Sequence, residues 1–183
     1  YFESLGYNSS LTLSLPVQAV HIDLCRAPAQ LVDVLANIPK DKILSLGLVD
    51  GRNIWRTDLR RAIALGRKAV EKLGGDRVWV APSCSLLHSP IDLDHETRMD
   101  AQLKGWLAFG KQKLQEVAAI AKALNEGDSA IADALAASDA VAEDRKTSPR
   151  IHDGAVKERL AALTLAMYDR AAPFATRRGL QQA

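Results

Sequence analysis

The sequence predicts an α/β protein built on a parallel sheet. Three short apolar runs, Val17–Leu24, Ile43–Val49 and Val78–Pro82, have the length and character of buried strands. Each run is followed by a stretch in which apolar residues recur at helical spacing. Parallel neighbours need a long crossover connection, which a helix supplies. We therefore expect one sheet of three parallel strands with right-handed helical crossovers.

Two helices are predicted before the second strand. A short one precedes Ser14, and another begins near Ala27 because Pro28 suits the first turn of a helix, where its missing N–H costs nothing. A turn that starts at Pro39 ends this second helix.

Two longer helices are predicted on either side of the third strand. Thr57 or Asp58 can cap the first of them, which continues to the next pair of glycines. After the third strand a helical pattern begins near Asp100 and runs to Asn125, with Trp106 on its apolar side. We expect one continuous helix over this second stretch.

The composition changes after residue 127, toward alanine and acidic residues and away from strand-like runs. Helices are predicted over residues 128–145, 153–167 and 173–182. We therefore divide the chain into residues 1–127, which hold the sheet, and residues 128–183, a helical connecting segment.

The overall composition is that of a globular protein and argues against two classes of partner. Hydrophobic residues make up 48% and charged residues 25% of the chain. The formal net charge is only +2, and the charges are interspersed, so a nucleic-acid partner is not indicated. No apolar run approaches the roughly 20 residues that a membrane helix needs. We expect a soluble cytoplasmic protein that binds neither nucleic acid nor membrane.

The cysteines indicate the redox compartment of the chain, and the first residues indicate its extent. Cys25 and Cys84 lie beside strand patterns without a secretory leader, so we expect free thiols in a reducing compartment. Tyr1-Phe2-Glu3 has no initiator Met and enters partway through an element. We therefore expect a piece of a longer polypeptide.

Polar residues cluster where each predicted strand ends. His21 and Asp23 close the first strand, Asp50-Gly51-Arg52-Asn53 follows the second, and Ser83-Cys84-Ser85 follows the third. In parallel α/β proteins the loops at the carboxyl ends of the strands collect ligands and catalytic groups. The sequence therefore predicts a candidate site where these three clusters meet.

Metal binding at this edge has two interpretations. His21, Asp23, Cys84 and His88 are ligand types, and zinc needs three or four such groups that converge. However, a lone His–Asp pair more often satisfies neighbouring polar groups, and a lone buried Cys more often acts as a small hydrophobic residue. The structural interpretation is favoured, and the metal interpretation stays open.

Two arginines on the loop after the second strand also have two interpretations. Arg52 and Arg56 flank Trp55, and a guanidinium can present a planar fork to a carboxylate. They could bind an acidic ligand or tie the loop to Asp50 and Asp58. The structural interpretation is slightly favoured.

Three long motifs resemble one known family. Val20–Leu24, Leu48–Arg56 and Trp79–His88, continued by Lys104–Phe109, are similar to the amino-terminal domain of cobalamin-independent methionine synthase, and the resemblance covers most of the chain. It implies the last three or so strands of an N-terminal (β/α)8 TIM barrel, followed by connector helices toward a second barrel.

The resemblance also implies a function. The family transfers a methyl group from 5-methyltetrahydropteroyl polyglutamate to homocysteine, and its zinc and homocysteine belong to the second barrel. This segment would then scaffold the enzyme, hold no zinc and supply no catalytic residue. Its partners would be the preceding half-barrel, the C-terminal catalytic barrel and, in the full enzyme, both substrates. The candidates to line the interbarrel cleft are Asp50, Arg52, Asn53, Ser83 and His88.

Because the two barrels of the family look like duplicates, the zinc site of the second barrel can be laid on this chain. Asp23 then falls at the position of a zinc-binding Glu, Arg52 at that of a catalytic His, and Cys84 at that of a zinc-binding Cys. Arginine cannot act as an acid near neutral pH, and Asp is one methylene shorter than Glu. The resemblance therefore implies a relic that no longer performs the chemistry.

Two other functions remain open. The chain could be a non-catalytic module that binds an anionic pterin-glutamate ligand through Arg52 and Arg56, or a small zinc-dependent methyltransferase that uses His21, Asp23 and Cys84. On the favoured interpretation, we expect the isolated chain to lack methyltransferase activity, to bind no zinc tightly and to be ordered only with its companion strands.

Overall fold

Three parallel strands form the sheet of this protein. The computed structural model describes residues 3–182. The strands are β1 (Ala19–Asp23), β2 (Ile43–Val49) and β3 (Val78–Pro82), in the order β1-β2-β3. Both pairings are parallel, which confirms the predicted single parallel sheet. Tyr1 and Phe2, where the sequence suggests entry partway through an element, lie outside the described residues.

The helices between the strands follow the predicted order. They are α1 (Ser9–Ser14), α2 (Gln30–Asn37) and α3 (Leu59–Leu73). The side chain of Asp58 caps α3 by accepting a hydrogen bond from the N–H of Arg61, as the sequence predicts. Gly74 ends α3 with φ at 85°, a conformation that favours glycine.

The prediction of one continuous helix from Asp100 to Asn125 is wrong. The structure has two helices there, α4 (Ala101–Gly105) and α5 (Gly110–Glu126). Between them the carbonyl of Trp106 accepts from the N–H of Arg56 at 2.9 Å, and the N–H of Ala108 donates to Ile54 at 2.8 Å. These backbone groups pair with a distant loop, so they cannot continue a helix.

The remaining helices are α6 (Ala132–Thr147), α7 (Gly154–Ala161) and α8 (Phe174–Gln182). The helix predicted over residues 153–167 is shorter than expected, because α7 stops at Ala161. Its apolar side chains Val156 and Leu160 are exposed, so little packing supports a longer helix. Within residues 3–182, no helix combines the length and apolar character needed to cross a membrane.

The chain divides into two compact units, residues 1–144 and 145–183. In the first unit the core lies on one face of the sheet, where Val20, Ile22 and Leu46 are buried together with residues of α2, α3 and α5. The helices α3 and α5 approach closely because Gly66 has no side chain. A Cβ there would come within 2.8 Å of the side chain of Leu124.

The opposite face of the sheet carries polar groups. His21 pairs in register with Ser45, and Ser45 with Trp79, so these three side chains share that face. Trp79 is 53% exposed there. The two faces therefore differ. One face packs against helices in the core, and the other carries the side chains of His21, Ser45 and Trp79.

Candidate functional site

Arg26 links the ends of all three strands. Its Nη2 donates to both carboxylate oxygens of Asp50, at 3.0 and 3.4 Å. Its Nη1 lies 3.4 Å from Asp23 Oδ2 and 3.4 Å from Ser83 Oγ. One guanidinium thus contacts a residue that follows or closes β1, β2 and β3. The predicted meeting of the three strand-end clusters is confirmed, although Arg26 itself was not predicted.

The carboxylate of Asp23 is fully buried and is held by the loop that follows it. Its Oδ1 accepts from the backbone N–H groups of Cys25 and Arg26, at 2.9 and 3.1 Å. A buried carboxylate needs such donors, because burying an unsatisfied charge costs much free energy. The β1–α2 loop is therefore shaped around Asp23.

His21 lies across β2 and is bonded at both ring nitrogens. Its Nδ1 is 2.9 Å from Ser45 Oγ, and its Nε2 is 3.1 Å from the carbonyl of Ser83. A carbonyl only accepts, so Nε2 carries the proton, and Nδ1 of the neutral ring accepts from the serine hydroxyl. Burial lowers the pKa of His21, which favours this neutral form.

Gly47 makes the position of His21 possible. A Cβ at Gly47 would come 2.8 Å from Ser83 Cα, 2.9 Å from the carbonyl of Ile22 and 3.1 Å from the His21 ring. The glycine therefore leaves the space in which the imidazole reaches from β1 to the end of β3.

The loop after β2 is folded around Asp50. Its oxygens accept from the N–H of Arg52 at 2.8 Å and from the side-chain amide of Asn53 at 2.7 Å. The N–H of Gly51 donates to Ser83 Oγ at 3.2 Å, which ties the loop to β3. Asp50, Asn53 and Ser83 thus belong to one network, and Arg52 is an exposed cation on the same loop.

Of the residues after Ser83, Cys84 lies against Gly51, where an added Cβ would come 3.0 Å from the Cys84 Sγ. Cys84 is half-buried, and its thiol is 3.6 Å from the carbonyl of Ser85. His88 is exposed, in a 3-10 turn formed by Leu86–His88. Of the five predicted cleft residues, Asn53 bonds Asp50 directly, and Ser83 is joined to them through Arg26 and the N–H of Gly51. The side chains of Arg52 and His88 are exposed.

The comparisons with known proteins point to one family. The family model described as "Cobalamin-independent synthase, N-terminal domain" matches residues 1–74. The whole chain is 52% identical to the "5-methyltetrahydropteroyltriglutamate–homocysteine methyltransferase" of two Acidithiobacillus ferrooxidans strains. It is also 52% identical, over 182 residues, to the protein of that name from Nitrobacter winogradskyi. Over its whole length the chain is therefore similar to these proteins, and residues 1–74 resemble the N-terminal domain of the cobalamin-independent synthase family.

The match covers only part of the relatives. The chain spans 23% of the Acidithiobacillus proteins and 24% of the Nitrobacter protein. The resemblance seen in the three motifs is therefore confirmed along the whole chain, and the activity of the complete relatives belongs to a protein about four times as long.

The candidate zinc ligand His21 and the residues at the relic positions, Asp23 and Cys84, do not fit a zinc site. Both ring nitrogens of His21 bond to serine groups, Asp23 is occupied by Arg26 and backbone N–H groups, and the Cys84 thiol faces a carbonyl. Within residues 3–182, no group of three or more His, Cys, Asp or Glu side chains could hold a metal ion. The donor atoms of these three side chains are committed to contacts within the protein.

Cys25 also lies at this end of the sheet, and its thiol is not activated as a nucleophile. Burial, together with the nearby carboxylates of Asp50 and Asp23, raises the pKa of its thiol to about 12. The thiol therefore stays protonated near neutral pH and is a poor nucleophile.

Proposed function

We propose that this chain is a segment of a cobalamin-independent methionine synthase, which transfers a methyl group from 5-methyltetrahydropteroyl polyglutamate to homocysteine. The observation that carries the proposal is the 52% identity over all 183 residues to proteins named for that reaction. The parallel sheet of three strands with connecting helices supports the further proposal that residues 1–127 are the last strands of an N-terminal (β/α)8 barrel.

Residues 128–183 are proposed to connect this barrel to a second one. All three strands lie before residue 83, and the segment beyond residue 127 contains helices α6, α7 and α8. The partners proposed for the chain are the preceding half-barrel and the catalytic barrel of the same enzyme. The proposal includes a cytoplasmic location, which rests on the family resemblance.

The proposed role of the segment is to scaffold one wall of the cleft between the barrels. Zinc, proposed for the second barrel, would supply a thiolate nucleophile from homocysteine. Arg26 holds the three strand ends together, and Asp50 and Asn53 shape the loop that presents Arg52. An exposed guanidinium at this place suits the anionic glutamate tail of the folate. His88 and Ser83 complete the proposed wall.

A chimera tests this proposal. The 183 residues replace the matching segment of the Acidithiobacillus ferrooxidans methyltransferase, and methyl transfer from 5-methyltetrahydropteroyltriglutamate to homocysteine is measured. We expect an active enzyme, in which Arg52→Met raises the KM for the triglutamate while Arg67→Met, at an exposed pair on α3, does not. An inactive but folded chimera would contradict the proposal.

A binding module is the second candidate, because Arg52 and Arg56 are exposed on one loop. Titration of the isolated chain with the folate triglutamate distinguishes it: tight binding without the second barrel would favour the module. A small zinc methyltransferase at His21, Asp23 and Cys84 has no support in the geometry. Elemental analysis with and without Cys84→Ser tests it, and stoichiometric zinc lost in the variant would revive it.

A further inference from the structure

Lys113 is a fully buried cation on α5. It is the largest of the side chains that are completely shielded from solvent in the described residues. Its Nζ donates a hydrogen bond to the backbone carbonyl of Trp55 at 3.1 Å. Lysine is almost never fully buried, because removing an ammonium group from water costs free energy.

The surroundings of Lys113 confirm that its burial is costly. Burial lowers the pKa of Lys113, and the charges of Glu116 and Asp50 only partly oppose that effect. Glu116 is itself engaged elsewhere, since its carboxylate accepts from the N–H and hydroxyl of Thr57 at 2.9 and 2.7 Å. The hydrogen bond that holds the ammonium group in the interior is the one to the carbonyl of Trp55.

The carbonyl that accepts from Lys113 lies in a loop whose two ends are held by different contacts. This loop, residues 50–56, begins in the Arg26 network at Asp50 and ends in the backbone pairs to Trp106 and Ala108. Its central part carries Arg52, which is exposed, and Trp55. Lys113 holds the loop from α5, through the carbonyl of Trp55.

We propose that Lys113 is a positioning residue that holds the 50–56 loop in place, so that Arg52 is directed at the glutamate tail of the folate. This inference rests on the proposed function. Lys113 does not touch the substrate, and it acts through the Trp55 carbonyl. The bond anchors the loop to α5 at Trp55, and the position of Arg52, three residues earlier, follows from that anchor.

Replacement of Lys113 by Met has two opposing effects on stability. It removes a desolvated ammonium group, and it leaves the Trp55 carbonyl without this donor. We therefore expect the Tm of the chimera to change little, while the loop loosens. The matched control is Lys122→Met, an exposed lysine on the same helix.

The experiment measures Kd for the triglutamate and monoglutamate folates, kcat, and hydrogen exchange of the amides of residues 52–55 in the chimera. For Lys113→Met we expect about tenfold weaker triglutamate binding, the effect of losing one charge-assisted hydrogen bond. Monoglutamate binding and kcat should stay near wild type, and the loop amides should exchange faster. Lys122→Met should change none of these.

Several outcomes would overturn the inference. The inference is wrong if triglutamate binding is unchanged, or if both folates lose affinity equally. It is also wrong if Lys113→Met and Lys113→Gln both fail to fold. If the unsubstituted chimera neither binds folate nor transfers methyl groups, the proposed function fails and takes this inference with it. An active chimera with an indifferent Lys113→Met overturns this inference alone.

Discussion

Arg26 and Asp50 form a salt bridge between the loops that follow β1 and β2, with Nη2 3.0 Å from one carboxylate oxygen and 3.4 Å from the other. The same guanidinium lies beside the fully buried Asp23. The position of the candidate cleft loop therefore depends on a residue that belongs to another loop.

Replacing Arg26 should destabilise the ends of the strands. Arg26→Met leaves Asp23 buried without its cation, although the backbone N–H groups of Glu3, Cys25 and residue 26 still bond it. We expect a loss of about 2–3 kcal/mol, since hydrogen bonds to charged groups contribute this much and removal of a buried partner costs more. Native-state hydrogen exchange of the β2 amides in the chimera measures the loss.

The control is Arg60→Met, which breaks an exposed pair with Asp139. Exposed ion pairs contribute little, so this variant should exchange like wild type. Equal effects of the two substitutions would contradict the role assigned to Arg26.

His21 should make stability depend on pH. In the folded chain burial lowers its pKa below 6.5, so between the two pKa values the unfolded chain binds a proton that the folded chain does not. The free energy of unfolding therefore decreases as the pH falls through about 6.5, and this loss stops once the pH passes the folded pKa.

The measurement is the Tm of the chimera at pH 7.5 and at pH 5.5. His21→Gln should reduce the difference between the two values, whereas His95→Gln, at an exposed position, should not. A wild-type Tm that falls no more than that of His21→Gln would show that the ring is not buried in its neutral form.

Gly47→Ala should displace the His21 ring. The added Cβ would meet backbone atoms of Ser83 and Ile22 at 2.8 and 2.9 Å, and backbone cannot move aside as a flexible side chain can. We expect a loss of about 3 kcal/mol, the upper end of the usual cost of overpacking. Hydrogen exchange of the β2 amides measures this loss as well.

Gly105→Ala provides the matched control. No atom lies within 4 Å of the position that its Cβ would take, so this change should be neutral or slightly stabilising. If both alanines are tolerated, the close approach at Gly47 is not what holds His21.

The isolated chain of residues 1–183 should not unfold as an independent cooperative unit. The sheet has three strands, and Trp79 on its polar face is 53% exposed. Each large apolar side chain left in water forfeits about 1.5–3 kcal/mol of burial, against a total stability of about 5–15 kcal/mol for a domain. Denaturant unfolding at several protein concentrations, alone and with the preceding half-barrel, checks this expectation. A sharp, concentration-independent transition of the lone monomer would contradict it.

Local signals in the sequence determined the strands and most helix ends. Ile43–Val49 and Val78–Pro82 are strands at the predicted residues, and α3 begins after Asp58 and ends before Gly74 as predicted. Apolar spacing, capping side chains and glycine act on neighbouring residues, so a single stretch of sequence contains the information. The three strand-end clusters followed from these elements, because parallel strands bring their carboxyl ends to one edge.

Tertiary structure alone decided the features that depend on distant partners. The helix break at Trp106 exists because its carbonyl meets the N–H of Arg56, fifty residues earlier in the chain, and no local pattern marks that pairing. Arg26 is a second case, because no local pattern indicates that it contacts Asp50 and Ser83. Lys113 is a third, because its position on a helix does not indicate that it bonds the carbonyl of Trp55. A hydrogen bond between residues far apart in sequence forms only after the chain has packed, and it is the packing that selects its partners.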